Sequence, residues 1–369
     1  MKIWKKAAVF FLSAVVALSL GACVNQHPDQ DSGSADGKSV AASADTDGAR
    51  VIATSYSTLI ICDKLGIDLV AIPSTSGEIP ERYKDLPQIG TAMAPDAEAI
   101  ALLEPTDVIG PDTLAESIEP TYKAAGVPYT FIDLQSVDGM YESIEMLGKK
   151  YGAQEAADEL IGEYEKTMED FRKSVEGKDT PKVLMLMGLP GSYIECTSNS
   201  YAGSLLDLAG AQNVVQVDTI ENFVSWNTEE LLALDPDVIL LTAHGLPDQA
   251  MEMFAEEFTT NDIWKHFRAV SENKVYQLDY QLFGMSCTFD WPEALEVLKE
   301  ILYEGTYSAY DAEAAYEENN SGSDSGSSGS DSSSSGLSGS SGSVGSSGGD
   351  SRSKNAGSGT GNGNSGSNS

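Results

Sequence analysis

"EELLALDPDVILL", residues 229–241, decides the fold of this chain because it joins two different structural periods. Apolar residues at helical spacing open the stretch, Pro236 ends the helix, and the aliphatic run from Val238 predicts a buried strand. A related stretch, "EAIALLEPTDVIG", occupies residues 98–110, and its glutamate precedes its proline by the same spacing (105 − 98 = 236 − 229 = 7). The chain therefore contains one helix–strand unit twice, which favours two similar lobes.

Short aliphatic segments alternate with helical patterns along the rest of the chain, which favours mainly parallel sheets. Five of these segments predict strands, and they begin at Arg50, Leu69, Tyr129, Lys182 and Lys274. Between the two halves, residues 137–178 carry apolar residues at helical spacing and predict one long helix, bent near "YGAQ" at 151–154. We therefore expect an α/β fold of two Rossmann-like lobes joined by one long bridging α-helix, with modest opening and closing between them.

The amino-terminal segment has the layout of an export signal. Lysines precede an apolar run from Ala7 to Leu20, which is too short to span a bilayer comfortably. Small residues then lead to Cys23, as in lipoprotein signals, so we expect cleavage before Cys23 and a diacylglycerol on its thiol. The mature chain would then be anchored at the extracytoplasmic face of the membrane. An ordinary signal peptide, or an uncleaved anchor with an incidental cysteine, is the alternative.

Composition sets the remaining boundaries. Residues 24–48 and the Ser/Gly-rich carboxyl-terminal region lack an apolar pattern, so they cannot offset the entropy of ordering. The predicted organisation is a signal peptide (1–22), a flexible tether (23–48), an N-terminal lobe (49–136), the bridging helix (137–178), a C-terminal lobe (179–310) and a disordered tail (311–369).

Charge and cysteine content restrict the partners. The formal net charge of −35 argues against nucleic acid and against adsorption to anionic lipid, so the lipid anchor is the only membrane contact that we expect. Cys62, Cys196 and Cys287 are too few for a disulfide framework and are expected to be buried thiols, although one disulfide with one free thiol is the alternative. We expect a monomer.

His244 is the histidine with the clearest functional context. The chain has 3 histidines, of which His27 falls in the predicted tether and His266 lies beside aromatic residues in a predicted helix. His244 instead follows the strand of the second repeat, and ligands of open α/β sheets bind beyond the carboxyl ends of strands. A core histidine with a satisfied hydrogen bond is the alternative.

Several stretches between about Arg50 and Gly305 resemble a known family. They are "ERYKDLPQIGTAMAP", "VLMLMGLPGSY", "AHGLP", "NDIWKHFRAV" and "YQLFGMS", at residues 81–95, 183–193, 243–247, 261–270 and 280–286. The chain is identified by them as a class III substrate-binding protein of ABC importers, and it most resembles the haem-binding lipoproteins of that family. The resemblance implies capture of haem between the lobes and delivery to a permease dimer with its ATPase.

The resemblance also implies two axial ligands for haem iron, one from each lobe. The matching positions are Met93 in "IGTAMAP" and His244 in "TAHGLP". Haem iron accepts a thioether and a neutral imidazole, so the chemistry agrees with this assignment. Met93 lies in loop sequence between Gly90 and Pro95, where a core methionine is less usual. A gap-filling methionine remains the alternative.

Other residues that follow predicted strands could line the pocket, or could serve only turn chemistry. They are Ser55, Tyr56, Ser74, Tyr193, Phe283 and Met285. Hydroxyls and amides at the start of a helix, as expected near Ser55, suit a haem propionate.

Glu98 and Glu229 open the two repeats at identical spacing. The resemblance implies that one glutamate on each lobe docks onto arginines of the permease, and two charge contacts would set the orientation. Glu230 is an alternative to Glu229, and a solvated residue at a helix start is the alternative for both sites.

Other functions of the chain fit the sequence less well. Cobalamin or a ferric siderophore is the alternative ligand within the same fold. "GLPGSY", residues 188–193, lacks the G-x-S-x-G pattern of a nucleophile elbow, and we expect no enzymatic activity.

Overall fold

The structure is a computed structural model that describes residues 48–321. The predicted signal peptide, Cys23, nearly all of the tether and most of the Ser/Gly-rich tail lie outside the described residues. The N-terminal lobe contains β1 (Val51–Ala53), α1 (Tyr56–Lys64), β2 (Leu69–Ala71), β3 (Gly90–Thr91), β4 (Ala94–Pro95), α2 (Ala97–Leu102), β5 (Asp107–Pro111), α3 (Ala115–Ala125) and β6 (Tyr129–Ile132).

A parallel sheet with strand order β2-β1-β5-β6 forms the centre of this lobe. Buried residues of α2 and α3, among them Ile100 and Tyr122, pack against one face. Residues of α1, among them Leu59 and Ile61, cover the other face. The strands are short and aliphatic because helices bury both sides of the sheet. The hairpin of β3 and β4 projects from the connection between β2 and β5.

The C-terminal lobe begins at β7 (Lys182–Leu189). It continues with β8 (Ser192–Cys196), α6 (Tyr201–Leu208), β9 (Gln212–Asn213), β10 (Phe223–Val224), α7 (Thr228–Ala233), β11 (Val238–Ala243), α8 (Pro247–Thr260), α9 (Arg268–Ser271), β12 (Val275–Gln277) and α10 (Trp291–Lys299). Its sheet order is β10-β8-β7-β11-β12, and β9 also pairs with β7. β9, β7, β11 and β12 pair in parallel, whereas β8 pairs antiparallel with both β7 and β10, so the prediction of mainly parallel sheets is confirmed.

The bridge between the lobes differs from the prediction of one long helix. It consists of α4 (Val137–Tyr151) and α5 (Gln154–Ser174), which run antiparallel. The rings of Tyr141 and Tyr164 stack at 4.4 Å, and Gly148 packs against Ala157. Gly152 ends α4 with φ 69°, a left-handed conformation that glycine adopts without strain. The predicted bend near residue 152 is therefore a reversal of the chain.

The carboxyl-terminal boundary also needs correction. The disordered tail was predicted to begin at residue 311, but α11 (Ala312–Ser321) follows instead. Asp311 accepts a hydrogen bond from the backbone N–H of Ala314 at 3.0 Å, as a helix cap does. The alanine- and glutamate-rich sequence from Ala312 has high helix propensity, and the Ser/Gly-rich composition begins only later.

One hydrophobic core connects the two lobes through the bridge. It includes Val51 and Ile132 from the N-terminal lobe, Leu147 from the bridge, and Met185 and Leu298 from the C-terminal lobe. Smaller clusters cover the outer faces of the two sheets.

The three cysteines of the described residues, Cys62, Cys196 and Cys287, are buried and free, as expected. None of the helices between residues 48 and 321 is long and apolar enough to cross a membrane.

Candidate functional site

His244 directly follows β11, at the carboxyl edge of the C-terminal sheet. β7 and β11 are adjacent, and Gly188 pairs with Ala243 at their carboxyl ends. From there β7 leads to β8 on one side, and β11 leads towards β12 on the other. The backbone N–H of His244 donates to the carbonyl of Gly188 at 3.0 Å, which fixes the residue at this point. Open α/β sheets bind ligands at such topological switch points.

The His244 side chain has the properties of a potential ligand. It is exposed, and its ring nitrogens have no hydrogen-bond or ionic partner among residues 48–321. Partial desolvation by the surrounding protein lowers its pKa, so the neutral imidazole predominates at pH 7. A neutral imidazole offers a ring nitrogen lone pair to a metal.

The backbone after His244 is unusual. Gly245 has φ 65° and Leu246 has φ 42°, and α8 begins immediately afterwards. Leucine in the left-handed region costs about 1–2 kcal/mol, and the side chain of Leu246 is nonetheless 56% exposed. Strain of this kind concentrates at functional sites. The loop therefore presents an imidazole and an apolar side chain together.

Met93 occupies the tip of the β3–β4 hairpin. Thr91 pairs with Ala94, so Ala92 and Met93 form the two-residue turn. Met93 is 69% exposed, whereas a methionine that fills a core gap is buried. The base of the hairpin is held to the lobe because the N–H of Ser74 donates to the carbonyl of Gly90 at 2.7 Å. A thioether is thus held in solvent on a supported turn.

Ser55 and Tyr56 lie at the equivalent switch point of the N-terminal lobe, between β1 and β5. The Ser55 hydroxyl is buried and accepts the N–H of Thr58 at 3.2 Å, so it caps α1 as expected. Tyr56 is 36% exposed, and its ring lies against Gly77. Ser74 is half-buried beside them in the chain. In this group, Tyr56 has the largest surface available to a ligand.

Two of the predicted pocket residues pack against hydrophobic clusters. Phe283 is completely buried. Tyr193 is half-buried: its ring stacks with Phe254 at 5.9 Å and contacts Trp264 at 6.1 Å. Loop sequences do not reveal which way a side chain points, and apolar burial determines the direction of Phe283. Met285 is half-buried against the shared core.

Leu246 and Tyr280 were not identified from the sequence, although both are exposed apolar residues that follow strands of the C-terminal lobe. Their positions after β11 and β12 could have suggested them.

The two repeats form matching helices, and each begins with a side-chain cap. Asp96 accepts from the N–H groups of Glu98 and Ala99, and Asn227 accepts from that of Glu230. Glu98 and Glu229 each follow their cap by two residues, are exposed and have no side-chain partner among the described residues.

Glu230 differs from both because its carboxylate accepts the N–H of Asn227 at 3.2 Å in a capping box. Glu229 is therefore the unengaged carboxylate of the second repeat.

The ends of these helices match as well. Glu104 and Asp235, which precede the two prolines, have φ 46° and 49°. An arginine holds each end: Arg50 donates to the carbonyl of Leu103 at 2.8 and 2.6 Å, and Arg268 pairs with the carboxylate of Asp235 at 3.1 Å. The repetition in sequence is thus a repetition of backbone geometry, and it presents two glutamates in the same way.

A buried carboxylate supports the start of α7. Glu195 on β8 is completely buried, and its Oε2 accepts the N–H of Trp226 at 2.9 Å, whereas Oε1 has no hydrogen-bond partner within residues 48–321. Desolvation raises the pKa of Glu195 to about 7. This group could not be identified from the sequence, since one glutamate in an alternating strand usually faces solvent.

Two α/β lobes on a helical bridge, with exposed side chains at the switch points, define a two-lobed binding protein. A family model described as "Periplasmic binding protein" matches residues 51–282, and the chain belongs to that family. The family resemblance and the two-lobed fold predicted from the sequence are confirmed.

Three relatives illustrate the similarity. High-affinity heme uptake system protein IsdE of Staphylococcus aureus (strain bovine RF122 / ET3-1) is 39% identical over 255 residues, 69% of this chain and 87% of that protein. An ABC transporter substrate-binding protein from Listeria monocytogenes EGD-e has 40% identity and a TM-score of 0.66, over 69% of this chain and 99% of that one. S. aureus IsdE complexed with heme has 38% identity and a TM-score of 0.65, over 69% and 98%.

Proposed function

We propose that this chain captures haem between its lobes and delivers it to the permease of an ABC importer. The observation that carries the proposal is the pair of exposed ligand-type side chains, Met93 on one lobe and His244 on the other. Each lies on a supported turn without a side-chain hydrogen bond or ionic partner among the described residues. The similarity to IsdE, solved in complex with heme, supports the choice of ligand.

In this proposal Met93 and His244 bind the iron from opposite faces of the macrocycle. A thioether and an imidazole saturate the axial positions, which favours low-spin iron. Tyr56, Leu246 and Tyr280 are exposed apolar side chains that follow strands in the two lobes, and they are suited to cover the faces of the ring.

Hemin titration of the mature chain tests the ligand assignment. We expect a sharp low-spin Soret band in the wild type, and loss or alteration of this band in both Met93→Ala and His244→Ala. Met146→Ala and His266→Ala are matched controls, because Met146 is partly exposed on α4 and His266 is exposed outside the cleft loops. Hemin binding no tighter than to an unrelated acidic protein would refute the assignment.

The same titration separates the alternative ligands. Cobalamin or a ferric siderophore would be supported if either bound tightly while hemin did not. If only His244→Ala altered the spectrum, Met93 would not be a ligand, and Met285 would be the next candidate because it is half-buried at the core surface.

We further propose that Glu98 and Glu229 dock the chain onto a cationic surface of the permease dimer. Their matched, capped helices support this role, and so do their carboxylates, which are unpaired within the part of the chain that the structure describes. Glu98→Lys combined with Glu229→Lys should reduce haem uptake while haem affinity stays unchanged. Glu165→Lys, an exposed glutamate on α5, is the control and should leave uptake unchanged. An unaltered uptake rate in the double variant would argue against docking through these residues.

The proposal places the mature chain at the extracytoplasmic face of the membrane, with Cys23 as the lipid attachment site. Two acyl chains hold a protein at a bilayer where one does not. Cys23→Ser should abolish incorporation of labelled fatty acid and release the chain into the medium. Continued labelling of this variant would exclude Cys23 as the lipidated residue.

A further inference from the structure

The exposed face of α2 carries an apolar residue beside the docking glutamate. Glu98 and Leu102 are four residues apart and therefore lie on the same side of the helix. Leu102 is 84% exposed, whereas Ile100 is completely buried. The helix thus buries one aliphatic side chain in the lobe and holds another in solvent, next to a carboxylate that is unpaired among the described residues.

The second repeat lacks this apolar residue. Leu231 of α7 corresponds to Ile100 and is likewise completely buried. The position that corresponds to Leu102 is Ala233, because each lies four residues after its glutamate (98 + 4 and 229 + 4). The two docking helices therefore match in charge and backbone but differ in the apolar surface that they offer.

The charge around Leu102 restricts what can cover it. Asp96, Glu98 and Glu104 are exposed on or next to α2, the helix itself contains no basic residue, and the nearby cation Arg50 is engaged by the carbonyl of Leu103. A second copy of this chain, with its formal net charge of −35, would be repelled, and so would an anionic lipid surface. A surface that carries a cation next to an apolar recess is complementary in both respects.

We propose that Leu102 is the apolar anchor of the N-terminal docking contact and inserts into a recess beside the permease cation that pairs with Glu98. This inference rests on the docking function proposed above. Burial of a leucine side chain contributes about as much free energy as a tenfold change in affinity. The N-terminal lobe then adds an apolar contribution that the C-terminal lobe lacks, whereas both glutamates set the orientation.

The test uses the full mature chain, loaded with hemin, and its cognate permease–ATPase complex in nanodiscs. The measured quantity is the chain concentration that gives half-maximal stimulation of ATP hydrolysis. Leu102→Ala is compared with Ile220→Ala, since Ile220 is 93% exposed but belongs to neither docking helix. Alanine is a better helix former than leucine, so Leu102→Ala retains α2.

We expect Leu102→Ala to raise the half-maximal concentration about tenfold, with unchanged haem affinity and unchanged dependence on salt. Ile220→Ala should have no effect. An equal effect of the two variants, or no effect of Leu102→Ala, would overturn the inference. A change of sedimentation with Leu102→Ala would also overturn it, because a second copy would then be the occupant. If Glu98→Lys and Glu229→Lys impair stimulation while Leu102→Ala does not, the role of Leu102 is refuted and the docking function is not. If none of the three substitutions impairs stimulation, the docking function itself is refuted.

Discussion

At the scale of single residues, the protonation state of His244 controls whether the proposed haem site can form. Its pKa lies below the ordinary histidine value because partial desolvation disfavours the cation. Protonation removes the lone pair that would bind iron, so haem affinity should be constant between pH 8 and 7 and should fall tenfold per pH unit below the pKa of His244. Hemin titrations across this range measure the profile.

Two variants check the origin of that profile. Met93→Ala should lower haem affinity without altering the pH at which the decline begins, since a thioether does not titrate. His244→Ala should lower affinity and remove the decline. A decline that persists in His244→Ala would assign the pH dependence to another group.

Glu195 makes a separate prediction about stability. Its pKa is about 7 in the folded chain and ordinarily 4.5, so the folded state binds the proton more tightly. This preference stabilises the folded state by about 3 kcal/mol below pH 4.5, and the stabilisation is lost as the pH rises through 7. Glu195→Gln removes this titration. Between pH 5 and 8, the free energy of unfolding of the variant should therefore rise relative to that of the wild type.

Urea unfolding at both pH values measures this difference, with the exposed Glu165→Gln as the control. Equal pH dependence in the wild type and Glu195→Gln would show that Glu195 does not titrate in this range.

Strand ends could be located from the sequence, but side-chain directions could not. The aliphatic run before His244 identified its position at a sheet edge, and the exposed histidine found there agrees with that reasoning. Phe283 follows β12 in the same manner but is completely buried. The direction of a loop side chain depends on packing against distant residues, which a local pattern does not contain.

At the scale of elements, the close approach of α4 and α5 depends on Gly148. A Cβ atom at this position would lie 2.6 Å from the Cβ of Ala157 and 3.3 Å from the carbonyl of Ala153. Gly148→Ala should therefore force the hairpin apart and lower the free energy of unfolding by about 1–3 kcal/mol. Thermal and urea unfolding measure the loss.

Gly162 provides a matched control on the facing helix. A Cβ atom there meets no other atom within 4 Å, so Gly162→Ala should stabilise the chain by about 0.5–1 kcal/mol through helix propensity alone. Destabilisation by both substitutions would mean that the hairpin does not pack as described.

The reversal between α4 and α5 shows why one helix was predicted. Apolar residues recur at helical spacing on both sides of Gly152, because each helix buries a stripe against the same core. The spacing of apolar residues indicates which residues are buried, but it does not indicate whether the chain continues or reverses between two helices. Gly148, Gly152 and Gly162 look alike in the sequence, yet only Gly152 among them has a positive φ.

At the scale of the whole molecule, the two lobes are joined by more than the bridge. The Thr113 and Ser286 hydroxyls lie 3.0 Å apart across the lobes, and the N–H of Cys287 donates to the carbonyl of Leu134 at 2.8 Å. Because the shared core would have to be exposed for the lobes to swing apart, the motion that accompanies ligand binding should be small.

Trp291 is one of the residues that make this connection. It is buried, its Nε1 donates to the Tyr141 hydroxyl at 3.2 Å, and its ring meets the edge of Tyr164 at 5.5 Å. α10 of the C-terminal lobe is thereby attached to both helices of the bridge. Trp291→Ala should cost about 3–5 kcal/mol and should also uncouple the lobes, so that calorimetry resolves two transitions where the wild type has one.

Substitution of Trp264 distinguishes the loss of buried volume from the loss of contact between the lobes. It is completely buried within the outer core of the C-terminal lobe, where it stacks with Phe258 and Phe267. Trp264→Ala should cost a similar free energy but should retain a single transition, because the contacts between the lobes remain intact. Two results would contradict this role of Trp291: two unfolding transitions in Trp264→Ala as well, or a single transition in Trp291→Ala. In either case the rest of the hydrophobic core between the lobes would couple them. The contact of Trp291 with the bridge would then contribute only the free energy of its own burial.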